Sequence, residues 1–183
     1  MKNGIQIKYS LLIMLLLLMV SCSRADENDD VLAQEEISSM ILNVEDELTG
    51  VSQSYTYVVN SANTPVIKLQ DGKSYSVSVV FRNGSEDITQ EIIDERDEHF
   101  LIFSFSDSDI TVTRTDNEVR SDGKRIGILT NWQVNDAVTG TAPQLNLKLI
   151  HDALSVDESQ DGTSWGSVTG GETDALAIFG ISD

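Results

Sequence analysis

Cysteine occurs once in the 183 residues, at Cys22. No disulfide can close within the chain, and neither a CxxC redox pair nor a thiolate zinc cluster is available. Histidine occurs twice, at His99 and His151. No GxGxxG turn, phosphate-binding GxxxxGK[ST] loop or GxSxG elbow is present, so the sequence signs of nucleotide and α/β-hydrolase chemistry are missing. No Ser-His-Asp set arises from local spacing either, and the reading is of a non-enzyme. Basic residues are few, 12 against 30 acidic, for a net charge of -18. Such a surface repels nucleic acid and anionic lipid headgroups and attracts cations.

The one long apolar run is Leu11–Val20, ten residues. That covers about half of a bilayer core, too little for a stable transmembrane helix. Lys2 and Lys8 precede it, and small Ser21 then Cys22 follow. Residues 1–21 thus read as a signal peptide. A lone cysteine after an apolar run and a small residue resembles the bacterial lipobox, with Met19 where leucine is usual. The resemblance implies cleavage before Cys22 and acylation there, an anchor of more than one chain. Loss of residues 1–21 leaves 10 of the 12 basic residues against all 30 acidic ones, a net -20. Residues 22–35 are polar and acidic, without apolar period, and are expected to be a disordered tether. Acidic residues soon after a lipidated cysteine resemble a surface-export signal, which favours the outer face of the outer membrane over the periplasmic one.

Residues 36–183 read as one domain with a core of ordinary size. Period-two alternation marks strands at Met40/Leu42/Val44, Tyr55/Tyr57/Val59 and Tyr75/Val77/Val79/Phe81. It recurs at Ile110/Val112, Ile126/Ile128/Thr130/Trp132/Val134, Leu145/Leu147/Leu149 and Ala175/Ala177/Phe179. Pro65–Leu69 suits a short edge strand. Phe100–Phe105 is apolar on both faces and suits a central one. Ser155–Gly171, rich in Ser, Asp, Gly and Thr, reads as a long loop. About eight strands with regular turn signals predict a mainly β fold, a Greek-key immunoglobulin-like β-sandwich with one inserted helix.

That helix lies in Glu86–Phe105, where helix period passes into strand period with no turn residue between. Asp87 and Gln90 suggest a capping box, and Ile88, Ile92, Glu95 and His99 share one helical side. Glu91, Asp94 and Glu98 face outward on the same count. An inward Glu95/His99 pair needs a partner. If the strands that His99 enters and His151 leaves are neighbours, the imidazoles meet, with Glu95 and then Glu172 or Asp174 adding oxygens. A His₂-carboxylate set suits Zn²⁺. The plainer alternative is a buried His-Glu hydrogen bond that locks helix to sheet. Asp107, Asp109, Asp116 and Glu118 lack the EF-hand spacing and read as a solvated turn. Trp165, amid Gly162, Ser164 and Gly166, is either an anchor for a partner or a cover over an open end of the sandwich. Trp132 reads as core.

The segments EEISSM (35–40), EIIDERDEHFLIF (91–103), IGILTNW (126–132), LKLIH (147–151) and GETDALAIF (171–179) together resemble small bacterial secreted lipoproteins. The likeness runs across nearly the whole mature chain. It implies a lipid-anchored accessory protein without enzymatic activity, for nutrient or metal acquisition beside an outer-membrane TonB-dependent receptor. Some such proteins carry the label of a type 1 periplasmic binding fold, which implies βα alternation and two lobes that this sequence lacks. The expected function is a lipid-anchored outer-membrane or cell-surface binding module, accessory to a TonB-dependent transporter and binding a divalent metal. A structural or adhesive domain with no ligand is the alternative.

Overall fold

The computed structural model describes residues 37–183; the signal segment, Cys22 and the tether lie outside them. Ten strands and one short helix follow in order: β1 (Ser39–Asp46), β2 (Ser52–Val58), β3 (Val66–Lys68), β4 (Ser74–Asn83), β5 (Glu86–Asp87), α1 (Thr89–Asp94), β6 (His99–Ser106), β7 (Asp109–Arg114), β8 (Leu129–Asp136), β9 (Gln144–Asp161) and β10 (Ser164–Ser182). One sheet runs β2-β1-β4-β8-β7, with β5 on the end of β4. The other contains β3, β10, β9 and β6. The fold is mainly β, in two sheets whose apolar faces meet.

The alternation explains which face turns inward. Met40, Leu42 and Val44 of β1 are buried, as are Tyr75, Val77, Val79 and Phe81 of β4 and Trp132 and Val134 of β8. Leu101, Phe103 and Phe105 of β6 answer them from the second sheet, with Leu145, Leu147 and Leu149 of β9 and Ala177 and Phe179 of β10. Trp132 stands edge-on to Phe103 and Phe105, at 6.2 and 5.3 Å between centroids. Each fully buried side chain of the Leu or Phe class contributes about 1.5–3 kcal/mol, so this double layer is the main stabilising term.

Arg114, the last residue of β7, ties the sheets at one end. Its guanidinium donates to the carbonyls of Leu101, at 2.6 Å, and of Ile126, and lies 4.2 Å from the Phe100 ring centre. Burial pulls its pKa down to about 10, against the opposing pull of Glu158 and Asp116. It therefore stays charged at neutral pH. Asp116 is buried too, accepting from the Gly127 and Leu129 N–H groups at 3.0 Å. Of the four acids read as a solvated turn, Asp107, Asp109 and Glu118 are exposed, and Asp116 alone is an interior carboxyl whose pKa burial raises.

Two local expectations give way. Ser155–Gly171 is no loop: β9 and β10 form one hairpin of 18- and 19-residue strands, turning at Gly162-Thr163. The Ser/Thr/Gly composition that suggested a loop belongs to a two-stranded ribbon exposed on much of its surface. The ribbon also bends. Residues 144–151 of β9 pair with β6 on one side, while Ser164 and Trp165 return to pair with Ser104 and Phe103. The hairpin therefore wraps around the start of β6. Left-handed backbone at Asp152, Gly170 and Gly171 and ladder breaks at Thr169/Gly170 and Thr173/Ala175 make the bend. A Cβ at Gly171 would come 2.7 Å from the His151 carbonyl, so only glycine fits.

The helix is the second. It spans six residues, not the run from Asp87 to His99. Asp87 accepts from Thr89 N–H at 3.0 Å, and the Gln90 amide donates to Asp94, so no capping box forms. Only Ile88 and Ile92 pack inward, too little apolar stripe to hold a longer helix against the pull of the β6 ladder.

Candidate functional site

The bend brings the two histidines together. His99 opens β6 and is the ladder partner of His151 on β9, which pairs in turn with Glu172 on β10. Opposed residues share a face, so these three form a row across the sheet. The next row inward is Leu101, Leu149 and Ala175, all buried. The histidine row is the rim of the core face. The turn after α1 closes over it, with Asp152 N–H donating to the Glu98 carbonyl at 2.8 Å. Arg120 donates to the carbonyls of Arg96 and His99, both at 2.8 Å, and fixes the entry to β6.

The rings stack, 5.0 Å between centroids and 12° from parallel. The Asp174 carboxylate touches both: Oδ2 lies 3.6 Å from His99 Nε2 and 3.7 Å from His151 Nδ1. His99 is 1 % exposed, and its Nδ1 lies 3.2 Å from the Glu95 carbonyl, so that nitrogen carries a proton and donates. Its Nε2 is buried without a hydrogen-bond partner among the described residues. His151 is half-buried, and its Nε2 lies 3.3 Å from Glu98 Oε2 and 3.9 Å from Asp152 Oδ1. Burial pulls the His151 pKa down, but the Glu98 hydrogen bond and the charges of Asp174 and Asp152 outweigh it, and the net shift is upward.

This geometry redistributes the expected metal ligands. Imidazole nitrogens bind metal in the ring plane, and near-parallel stacked planes do not converge on one ion. His99 and His151 therefore meet but do not aim at a common centre. Glu95 brings its main-chain carbonyl to His99 because the helix ends one residue before it. Glu172 is exposed beside His151 in the ladder, and Asp174 bridges one nitrogen of each ring. The oxygens gathered at one point with a histidine nitrogen are those of Glu98 and Asp152: with His151, the three ligand atoms lie within 4.8 Å of one another. Ligands about 2.0–2.2 Å from Zn²⁺ in a tetrahedron stand about 3.3–3.6 Å apart. The Glu98–His151 contact, at 3.3 Å, already has that spacing, and exposed Asp152 stands slightly wider, at 3.9 Å from the same nitrogen. Behind it, Asp174 faces the other nitrogen of His151, as carboxylates do behind metal-bound histidines.

Sequence parity missed Glu98 and Asp152 for a physical reason. The helical count turns Glu98 outward, but the helix ends at Asp94, and Asp152 lies one residue past His151, where strand alternation assigns the opposite face. Glu98 lies in the turn before β6, and Asp152 has φ of 53°, so alternation does not govern either.

Trp165 is half-buried, with its indole N–H donating to the Ile110 carbonyl on the facing sheet at 2.8 Å. Its carbonyl meets Arg114 at 3.5 Å. The indole is thus tied to the facing sheet rather than projecting free from a loop. No family model, curated protein or solved structure matches this chain.

Proposed function

We propose that this chain is a non-enzymatic, lipid-anchored binding module of the outer membrane, exposed at the cell surface and held through acylated Cys22. It takes a divalent metal of the zinc class at Glu98, His151 and Asp152, in the service of a TonB-dependent receptor. We read its path between the sheets as an immunoglobulin-like Greek key. The observation that carries the metal reading is His151 itself, with Asp174 at one ring nitrogen and two exposed carboxylates at the other. The strongly acidic chain adds a field that draws cations to this rim.

The test uses the chain from Ser23 onward. Micromolar Zn²⁺ is expected to raise its melting temperature by mass action, since the folded state alone assembles the three ligands. His151→Ala and Glu98→Gln lose that gain, while Trp165→Phe keeps it. A flat titration of the unaltered protein refutes the metal. Membrane association is tested with the full chain: Cys22→Ser is expected to release it from the membrane fraction.

A second reading rests on the stacked rings. Asp174 bridging the two imidazoles is a lock that joins β6, β9 and β10 without any ligand. It favours a structural or adhesive domain and predicts that His151→Ala destabilises the fold equally with and without Zn²⁺.

A further inference from the structure

β2 is an open edge. Asp46 N–H donates to the Val51 carbonyl and Val59 N–H to the Ser38 carbonyl, both at 3.0 Å, so the odd-numbered residues of β2 turn their main chain toward β1. Alternation then sends the main-chain groups of Ser52, Ser54, Thr56 and Val58 the other way. Among the described residues, β2 has no strand partner on that side, and only the Val58 carbonyl is engaged there, by Ser61 N–H. The strand is regular: seven successive pairs with β1 run without a bulge.

Proteins protect such edges with charge, proline or bulges. This chain does so elsewhere. Lys68 sits in β3, Glu86 and Asp87 in β5, Asp109 and Arg114 in β7, and Asp157, Glu158 and Asp161 in the far half of β9. β2, Ser-Gln-Ser-Tyr-Thr-Tyr-Val, has no charge, no proline and no bulge. In a chain of net charge -18, a stretch without charge is where a like-charged molecule can approach.

We infer that the open edge of β2 pairs with the β2 edge of a second copy of this chain, antiparallel and two-fold about Tyr55. The register follows from the outward residues. Setting Ser54 against Thr56 and Ser52 against Val58 of the other copy pairs all four, with the Val58 carbonyl shared between Ser61 N–H and the partner. Shifts by two residues, about Ser54 or Thr56, set Val58 against Gly50 or Ser52 against Asn60, outside the strand, and leave those ends unpaired. The chosen register also places the Ser54 and Thr56 hydroxyls side by side, a favourable cross-strand pair. The contact is isologous and closes as a dimer rather than propagating.

The chain from Ser23 onward contains no cysteine, which makes a single introduced one a clean reporter. Residue 55 faces itself across the axis as a non-hydrogen-bonded pair, with Cα atoms about 4.5 Å apart, within reach of a disulfide. Sedimentation is expected to give twice the monomer mass, and Thr56→Pro, which removes one outward N–H, to halve it with circular dichroism unchanged. Tyr55→Cys oxidises to a covalent dimer, whereas Leu48→Cys on an exposed turn does not. Hydrogen exchange at the Ser54 and Thr56 amides slows as protein concentration rises, a reading that needs no variant. A monomer up to millimolar concentration with unprotected amides overturns the inference. So does a dimer that survives Thr56→Pro while residue 55 fails to cross-link. Protection of Ser54 and Thr56 only by a different protein would give the edge to another chain's strand and refute the self-pairing.

Discussion

Replacing Arg114 tests how the two sheets are held at one end. Its guanidinium donates to Leu101 and Ile126, meets Trp165 at 3.5 Å and stacks on Phe100. Charge-assisted bonds of this kind are worth about 1.5–3 kcal/mol each, and a desolvated cation–π contact adds ~2 kcal/mol. Against them stands a desolvation cost of several kcal/mol for a buried cation with no carboxylate bonded to it. Arg114→Met keeps the stem volume and removes both sides of that balance. What it leaves is the Leu101 carbonyl, buried without its donor, at about 1–3 kcal/mol. The Ile126 carbonyl keeps the Leu101 N–H at 3.0 Å and costs little. The expected net loss is ~2 kcal/mol for Arg114→Met. Arg114→Ala adds a cavity and brings the loss to about 3–5 kcal/mol. For a domain of this size that is about 2–4 °C of melting temperature per kcal/mol. Urea unfolding followed by tryptophan fluorescence measures it directly, since Trp132 lies in the core and Trp165 meets Arg114 itself. Arg114→Lys, a point charge without the planar fork, should fall between wild type and Met. If Arg114→Met lies within ~0.5 kcal/mol of wild type, or above it, desolvation has cancelled the bonds and the tie does not exist.

Gly166→Ala strains a φ of +98° and sets a Cβ 2.6 Å from the Arg114 Nη2, so a loss of about 2 kcal/mol or more is expected in the same unfolding assay. Gly171→Ala meets the His151 carbonyl and should loosen the bend, read as faster hydrogen exchange at Asp152 and Thr173. Trp165→Phe keeps the ring body but loses the bond to Ile110, a cost of ~1 kcal/mol. Asp46 accepts from Lys73, at 2.6 Å, and from the Leu48 and Thr49 N–H groups, and the Lys73 bond leads in lowering its pKa. A lowered folded pKa means that this stabilisation is present above pH 3.8, the reference value, and is lost as pH falls through the lower folded value. Comparing acid titrations of Asp46→Asn and wild type checks that sign, and a parallel acid limb in both refutes it.

Much of the core was legible because alternation survives wherever a strand is half-buried. β1, β4, β8 and the first half of β9 turn in the residues that period two selects, from Met40 to Leu149. The tail of β9 and the start of β10 were illegible because a ribbon exposed on much of its surface has no apolar period to display. The helix was overread because Ile88, Ile92, Glu95 and His99 satisfy a helical count that the chain abandons after Asp94. Strand ends made a meeting of His99 and His151 conditional on β6 and β9 being neighbours, and that pairing is set only across the sheet. The bend that gives the meeting its chemistry was not legible either, because it depends on two glycines and one left-handed aspartate whose pairing is likewise fixed only across the sheet.

The cluster at the bend and the proposed metal make one further demand. A metal ligand must give up its proton, and the carboxylates that would help hold the ion also hold the proton on His151. Glu98, Asp174 and Asp152 raise its pKa, so binding at neutral pH exchanges a cation of charge two for a fraction of a proton. As pH falls through the raised folded pKa, that fraction approaches one, and affinity should drop about tenfold per pH unit. Asp174→Asn separates the roles: it removes a charge that favours the proton without removing a ligand. In that variant the onset of the drop should move to lower pH. Calorimetric Zn²⁺ titrations across about pH 5 to 8 read both slope and onset. Affinity independent of pH would mean that the ion, if bound, sits on carboxylates alone and that His151 is only part of the lock between the strands.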